Sequence, residues 1–163
     1  MTKAPKLTAA TTLTYYCYAA MFDGCKSLTT APKLTGTTLQ QYCCLHMFRN
    51  CTSLTTAPEE LPATTLAYGC YEGMFKNCKS LTTAPELPAT TLAGYCYSGM
   101  FYGCTNLSEI TMLATNISAS GCLSNWVYNV SSTGTFYKNP NMTSLSTGNS
   151  GIPNGWTVVN ASV

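Results

Sequence analysis

"LAYGCYEGMFKNCKSLTTAP", residues 66–85, is the stretch on which the fold turns. Leu66, Cys70, Met74 and Cys78 recur every fourth residue with Phe75 beside them, a spacing that predicts one apolar side of a short helix. "SLTTAP" then reads as a short strand, with Leu81 and Ala84 facing inward and Pro85 ending it. Such a switch of period marks a two-part supersecondary unit.

The unit is repeated along the chain with a period of 26–27 residues. Its Met-Phe pair falls at Met21 and Phe22, Met47 and Phe48, Met74 and Phe75, and Met100 and Phe101. Cys17, Cys43, Cys70 and Cys96 precede these methionines by four residues, and Cys25, Cys51, Cys78 and Cys104 follow them by four. Ala-Pro and Thr-Thr-Leu recur in step. A fifth, worn copy keeps Cys122, replaces Met-Phe by Trp126 and Val127, and has Val130 in place of the second cysteine. The position tolerates a change of chemistry and keeps its apolar character. These columns of Cys, Met and Phe are therefore the expected core ladder, because one copy is too small to bury its apolar face alone and must stack on its neighbours. Beyond Gly134, "GTFYKN" reads as a last strand and "GIPNGWTVVN" as a closing hairpin or edge strand.

Composition narrows the function classes. The chain has 163 residues, only 9% of them charged, and a net charge of +2 carried by isolated residues. No basic block is present to neutralise phosphates, so nucleic acid is not an expected partner. No apolar run approaches the ~20 residues of a membrane helix. The opening MTKAPKL lacks the apolar segment of a signal peptide, which implies a leader already removed or never present.

The segments "MFDGCKSL", "MFKNCKSL" and "MFYGCTNL", each after a Leu-containing turn and before a short strand, resemble the BspA-like leucine-rich repeat. The resemblance covers residues 4–136. It implies an α/β leucine-rich-repeat solenoid, curved, with short parallel strands on one side and short helical or irregular segments on the other. The copies would be 4–30, 31–56, 57–83, 84–109 and 110–135, with a C-terminal cap over 136–163, all in a single domain 1–163. It also implies a secreted or bacterial cell-surface protein, in a family several of whose members serve adhesion and none of which has a catalytic residue set. The extra cysteine before Met-Phe and the Thr-Thr-Ala-Pro strand depart from that family's pattern.

Ten cysteines invite three readings. Buried packing is favoured, since free cysteine is among the most buried residue types. Disulfides within a copy are opposed by the helical spacing, which would set Cys70 and Cys78 about 12 Å apart, although bridges between copies remain open. Metal is disfavoured because zinc sites pair cysteines more closely and His46 stands alone. Cys44 breaks the register and is expected to point outward as the most reactive thiol. Cys44 and His46 lack a third group to make a nucleophilic site, and Asp23 lies at a variable turn position. Glu59, Glu60, Glu86 and Glu109 occur singly and read as solvated rims. No enzyme, cofactor or metal is expected.

The variable residues between the landmarks carry the functional expectation. Tyr18, Tyr71 and Tyr97 on one side, or Thr29, Thr55, Thr82 and Glu109 on the strand side, are the candidate contact surface. The expected function is a non-enzymatic binding or adhesion module for an extracellular protein or glycan. A spacer or stalk is the alternative, with an upstream domain packing on the amino-terminal rung, and ice binding by the Thr-Thr pairs stands third.

Overall fold

The structure is a computed structural model describing residues 2–7 and 10–163; Thr8 and Ala9, within the first copy, lie outside the described residues. Its regular elements are five short strands: β1 (Thr12–Leu13), β2 (Thr38–Leu39), β3 (Glu109–Met112), β4 (Thr135–Lys138) and β5 (Thr157–Asn160). β1 and β2 form one parallel pair, and β3, β4 and β5 form a three-stranded parallel sheet in that order. Elsewhere the strand side consists of single bridges such as Thr30 to Thr56 and Thr83 to Glu109.

This overturns the fold read from the sequence. There is no α-helix among the described residues, and the two sheets are small, so no continuous curved β-face runs along the molecule. The α/β leucine-rich-repeat solenoid of BspA-like type, with its helical outer segments, is not what the chain builds. The reason lies in the backbone of the opening stretch. Gly69, Gly73 and Asn77 all have positive φ, at 59°, 56° and 63°. A left-handed residue at every fourth position is incompatible with a right-handed helix.

The stretch is instead a run of tight turns. Cys70, Glu72, Met74, Lys76 and Cys78 each donate their N–H to the carbonyl three residues back, at 3.0–3.2 Å. The intervening amides of Gly69, Tyr71, Gly73, Phe75 and Asn77 donate to Gly94, Cys96, Ser98, Met100 and Tyr102 of the next copy, at 2.7–3.1 Å. Alternate amides thus close the turns and tie the layers together, and this satisfies the backbone without a helix. The same ladder joins each of the first four copies to its successor. Its sequence signature is the last left-handed position of each run: Gly24, Asn50, Asn77, Gly103 and Asn129, the residue types that reach that conformation at least cost.

A four-residue turn period sends two consecutive side chains inward and the next two outward. Cys70, Tyr71, Met74, Phe75 and Cys78 are all buried. Phe22, Phe48, Phe75 and Phe101 stack along the core with centroids 5.4, 5.4 and 5.8 Å apart, and Trp126 continues the column at 5.9 Å. Within that core the second cysteines act as donors. The thiols of Cys51, Cys78 and Cys104 reach the carbonyls of Phe22, Phe48 and Phe75 at 3.0, 3.1 and 3.0 Å. Each of these carbonyls already accepts a turn N–H, and the thiol occupies its second lone pair.

The carboxyl end is closed. β5 lies parallel beside β4 as an edge strand rather than folding back as a hairpin. The segment around Asn149–Gly151 covers the fifth turn run: Asn149 O accepts from Val127 N–H at 3.1 Å, Ser150 Oγ from Asn125 N–H at 2.9 Å, and Gly151 O from the Trp126 indole at 2.8 Å.

Candidate interaction surface

The side chains expected to make contacts are divided by the turn geometry. Tyr71 and Tyr97 are in the core, 1% exposed, and stack on each other at 6.3 Å; Tyr18, in the same column, is half-buried. As a contact surface this set is corrected: the residue after the first cysteine is the second of the two inward positions. Cys44 belongs to that column and is fully buried, not an outward reactive thiol. Its pKa is raised, with the hydrogen bond to Cys43 and burial both favouring the neutral form.

Thr29, Thr55, Thr82 and Glu109 are exposed on the strand side. The hydroxyls of Thr29 and Thr55 donate to the carbonyls of Thr2 and Thr29 in the preceding layer, at 3.0 and 3.1 Å. Those donors are engaged within the stack.

The tyrosines before the first cysteine also lie among the variable residues between the landmarks, and the structure gathers them. Tyr15 and Tyr16 are 59% and 54% exposed, Tyr68 and Tyr95 are 42% and 37% exposed, and Tyr42 is half-buried between them. Tyr16 stacks on Tyr42 at 5.2 Å, Tyr42 meets Tyr68 edge-on at 5.6 Å, and Tyr68 meets Tyr95 at 5.5 Å. One ring per copy therefore forms a continuous exposed stripe across four layers. Tyr16, Tyr42 and Tyr95 hold φ of 53°, 57° and 53°, where the third and fifth copies place Gly69 and Gly121. A Cβ at Gly69 would lie 2.5 Å from the Tyr42 ring and one at Gly121 2.7 Å from the Tyr95 ring, so each glycine makes room for the ring of the layer before it.

A polar groove runs beside this stripe, lined by His46, Glu72, Lys76, Ser98, Tyr102 and Asn125 among others. Lys76 sits 4.7 Å from the centre of the Tyr102 ring, which stacks on Tyr128 at 4.7 Å. Arg49 pairs with Asp23 and approaches His46 Nδ1 at 3.3 Å, and Asn50 donates to Asp23 at 3.2 Å. The Arg49 guanidinium holds the Asp23 carboxyl below its ordinary range, while burial and the Arg49 charge keep His46 below its own. Asp23 is thus committed to an ion pair on the surface. Among the described residues no group of three or more His, Cys, Asp or Glu side chains is placed to hold a metal ion.

All ten cysteines are free thiols, eight of them buried, with Cys17 exposed and Cys25 half-buried. Alkylation of the folded, reduced protein is expected to modify Cys17 fast and Cys25 more slowly, leaving the other eight until the chain unfolds. Rapid labelling of Cys44 would contradict the inward placement of its column. Mass spectrometry of timed aliquots decides between them.

No protein-family model, no curated protein and no solved structure matches the chain. The BspA-like resemblance therefore finds no support from comparison either, and the surface has to be interpreted from its own geometry.

Proposed function

We propose that the chain is a non-enzymatic binding module that contacts a protein or glycan partner through the stripe formed by Tyr16, Tyr42, Tyr68 and Tyr95. The observation that carries this reading is the row of stacked surface rings, Tyr16 on Tyr42, Tyr42 against Tyr68 and Tyr68 against Tyr95. A non-glycine residue in the left-handed region costs roughly 1–2 kcal/mol, a cost that Ala20 and His46 bear too in the same turn runs. Three of the stripe's rings occupy such positions, although glycine serves at the same place in two other copies. Tyrosine suits the role because it offers a large rigid apolar face with a polar tip at low entropic cost.

Strain also makes the test clean. Replacing Tyr16 by Gly removes an exposed ring together with its backbone penalty, so the variant should unfold at the same temperature as the parent or higher. Combined with Tyr68→Ser, it should lower binding by about tenfold or more for whichever extracellular-matrix protein or glycan the parent captures on an array. Unchanged binding by the double variant would sink the proposal. An array on which the folded parent captures nothing would favour the spacer role.

A further inference from the structure

The polar groove beside the tyrosine stripe spans the second to fifth copies, where the outward face of the turn runs changes character from layer to layer. At one outward position the copies place Ala19, Leu45, Glu72, Ser98 and Ser124, and at the next Ala20, His46, Gly73, Gly99 and Asn125. The groove is lined from the later members of both columns, with Lys76 and Tyr102 beside them. Two glycines make it concave. A Cβ on Gly73 would lie 2.3 Å from the His46 ring, whereas one on Gly99 would meet nothing within 4 Å. Packing does not require glycine at 99, and Ala20, His46 and Asn125 take the same positive φ in that column. The missing side chain leaves open space among polar groups.

Those groups share one chemistry. Arg49 approaches His46 Nδ1, which leaves Nε2–H as the remaining donor of the ring, while Asn125 adds an amide and Ser98 and Ser124 add hydroxyls. Glu72 is the acceptor at the border with the stripe. Its carboxylate lies 3.3 Å from the place of a Cβ on Gly69, the same place that the Tyr42 ring approaches at 2.5 Å. Burial alone pushes the Glu72 carboxyl up, so no cation or donor of the chain offsets the cost of its half-buried charge. The Lys76 ammonium is held over the Tyr102 ring. One negative charge thus balances one positive charge, and donors and acceptors stand side by side.

A protein partner anchors itself by an aromatic or aliphatic side chain in a desolvated pocket, and this polar lining offers such an anchor little apolar wall. A phosphorylated or acidic ligand would need a surplus of cations. Neutral vicinal hydroxyls match the lining, because each hydroxyl both donates and accepts. The volume, about 210 Å3, is below the ~300 Å3 at which sites for drug-sized ligands begin, so the groove takes one sugar ring at a time.

We propose that the groove is a saccharide subsite that binds one ring of a neutral glycan, with Glu72 accepting from adjacent hydroxyls and Ser98, Ser124 and His46 completing the hydrogen bonds. The inference rests on the reading of the chain as a binding module and commits that module to a glycan, which continues from Glu72 toward the tyrosine stripe.

The test uses the full chain, 15N-labelled and titrated with cellotetraose, maltotetraose, mannotetraose and tetra-N-acetylchitotetraose. At least one probe should shift the Gly73 and Gly99 amide resonances saturably, with a dissociation constant on the order of 1 mM. Gly99→Asn puts a side chain into the open space at a φ that Asn125 already adopts, and should weaken binding at least tenfold with the unfolding temperature unchanged. Glu72→Gln keeps the shape, loses the charged acceptor and should weaken binding about tenfold. In the Tyr16→Gly, Tyr68→Ser variant the Gly99 shift should persist at lower affinity, so failure of the stripe, read by array capture, is separate from failure of the groove. No Gly99 shift with any probe up to about 20 mM, or undiminished binding by Gly99→Asn or by Glu72→Gln, would overturn the subsite.

Discussion

Raising the pH of the reduced protein from 8 to 11 is expected to unfold it cooperatively. Burial pushes the Cys51, Cys96 and Cys104 thiols up to about 12, and it raises those of Cys70 and Cys78 as well, against an ordinary value of 9.0. Above pH 9 the unfolded chain releases protons that the folded chain retains, so the unfolded state binds fewer protons and stability falls with rising pH. The contribution is fully present below the unfolded value and is lost on the way to the folded one. Each such thiol removes about 1.4 kcal/mol per pH unit, so three alone remove about 8 kcal/mol by pH 11. That rivals the ~5–15 kcal/mol by which a domain is stable. Circular dichroism and thiolate absorbance, followed together, should change in one transition. Thiolates appearing near pH 9 in a protein that keeps its structure to pH 11.5 would show that the cysteine columns are not sealed.

The second large effect is expected at Phe75. It is fully buried between Phe48 and Phe101, at 5.4 and 5.8 Å, and sits at the middle of the aromatic column. Phe75→Ala should cost about 3–5 kcal/mol, including the cavity it leaves. Phe22→Ala, at the open end with a single ring neighbour at 5.4 Å, should cost about 1 kcal/mol less, since one aromatic contact of that size is lost instead of two. A stack held by nearest-neighbour interfaces is also most easily divided at its centre. Urea denaturation of the Phe75 variant should therefore show a lowered m-value or two separated transitions, and that of the Phe22 variant should not. Equal losses at the two sites would contradict the stacked column.

The repeat and its inward columns were legible because apolar side chains at fixed positions must stack whatever the backbone does. Cys70, Met74, Phe75 and Cys78 are buried in the turn run as they would have been in a helix. The backbone was misread because a four-residue turn period and a helical stripe share the i, i+4 spacing. The signal that separates them was present: a glycine or asparagine closes every run, at 24, 50, 77, 103 and 129. A residue type chosen for positive φ in all five copies belongs to a turn, not to a helix interior. Tyr71 and Tyr97 were misassigned for the same reason, since only the turn period makes the residue after the first cysteine an inward one. The tyrosine stripe was harder to see. Tyr68 occupies a different column from Tyr16, Tyr42 and Tyr95, and only the folded layers bring the four rings into line.

The interlayer amides have an electrostatic consequence. In each turn run the peptide units joining residues 17 to 18, 19 to 20, 21 to 22 and 23 to 24, and their counterparts in later copies, direct their carbonyls toward the amino end and their N–H groups toward the carboxyl end. Each unit carries a dipole of about 3.5 D, and aligned units add. The resulting field has its negative pole at the amino terminus, the reverse of an α-helix. Lys3, Lys6 and Lys33 line a groove on the strand side of the layers at that end.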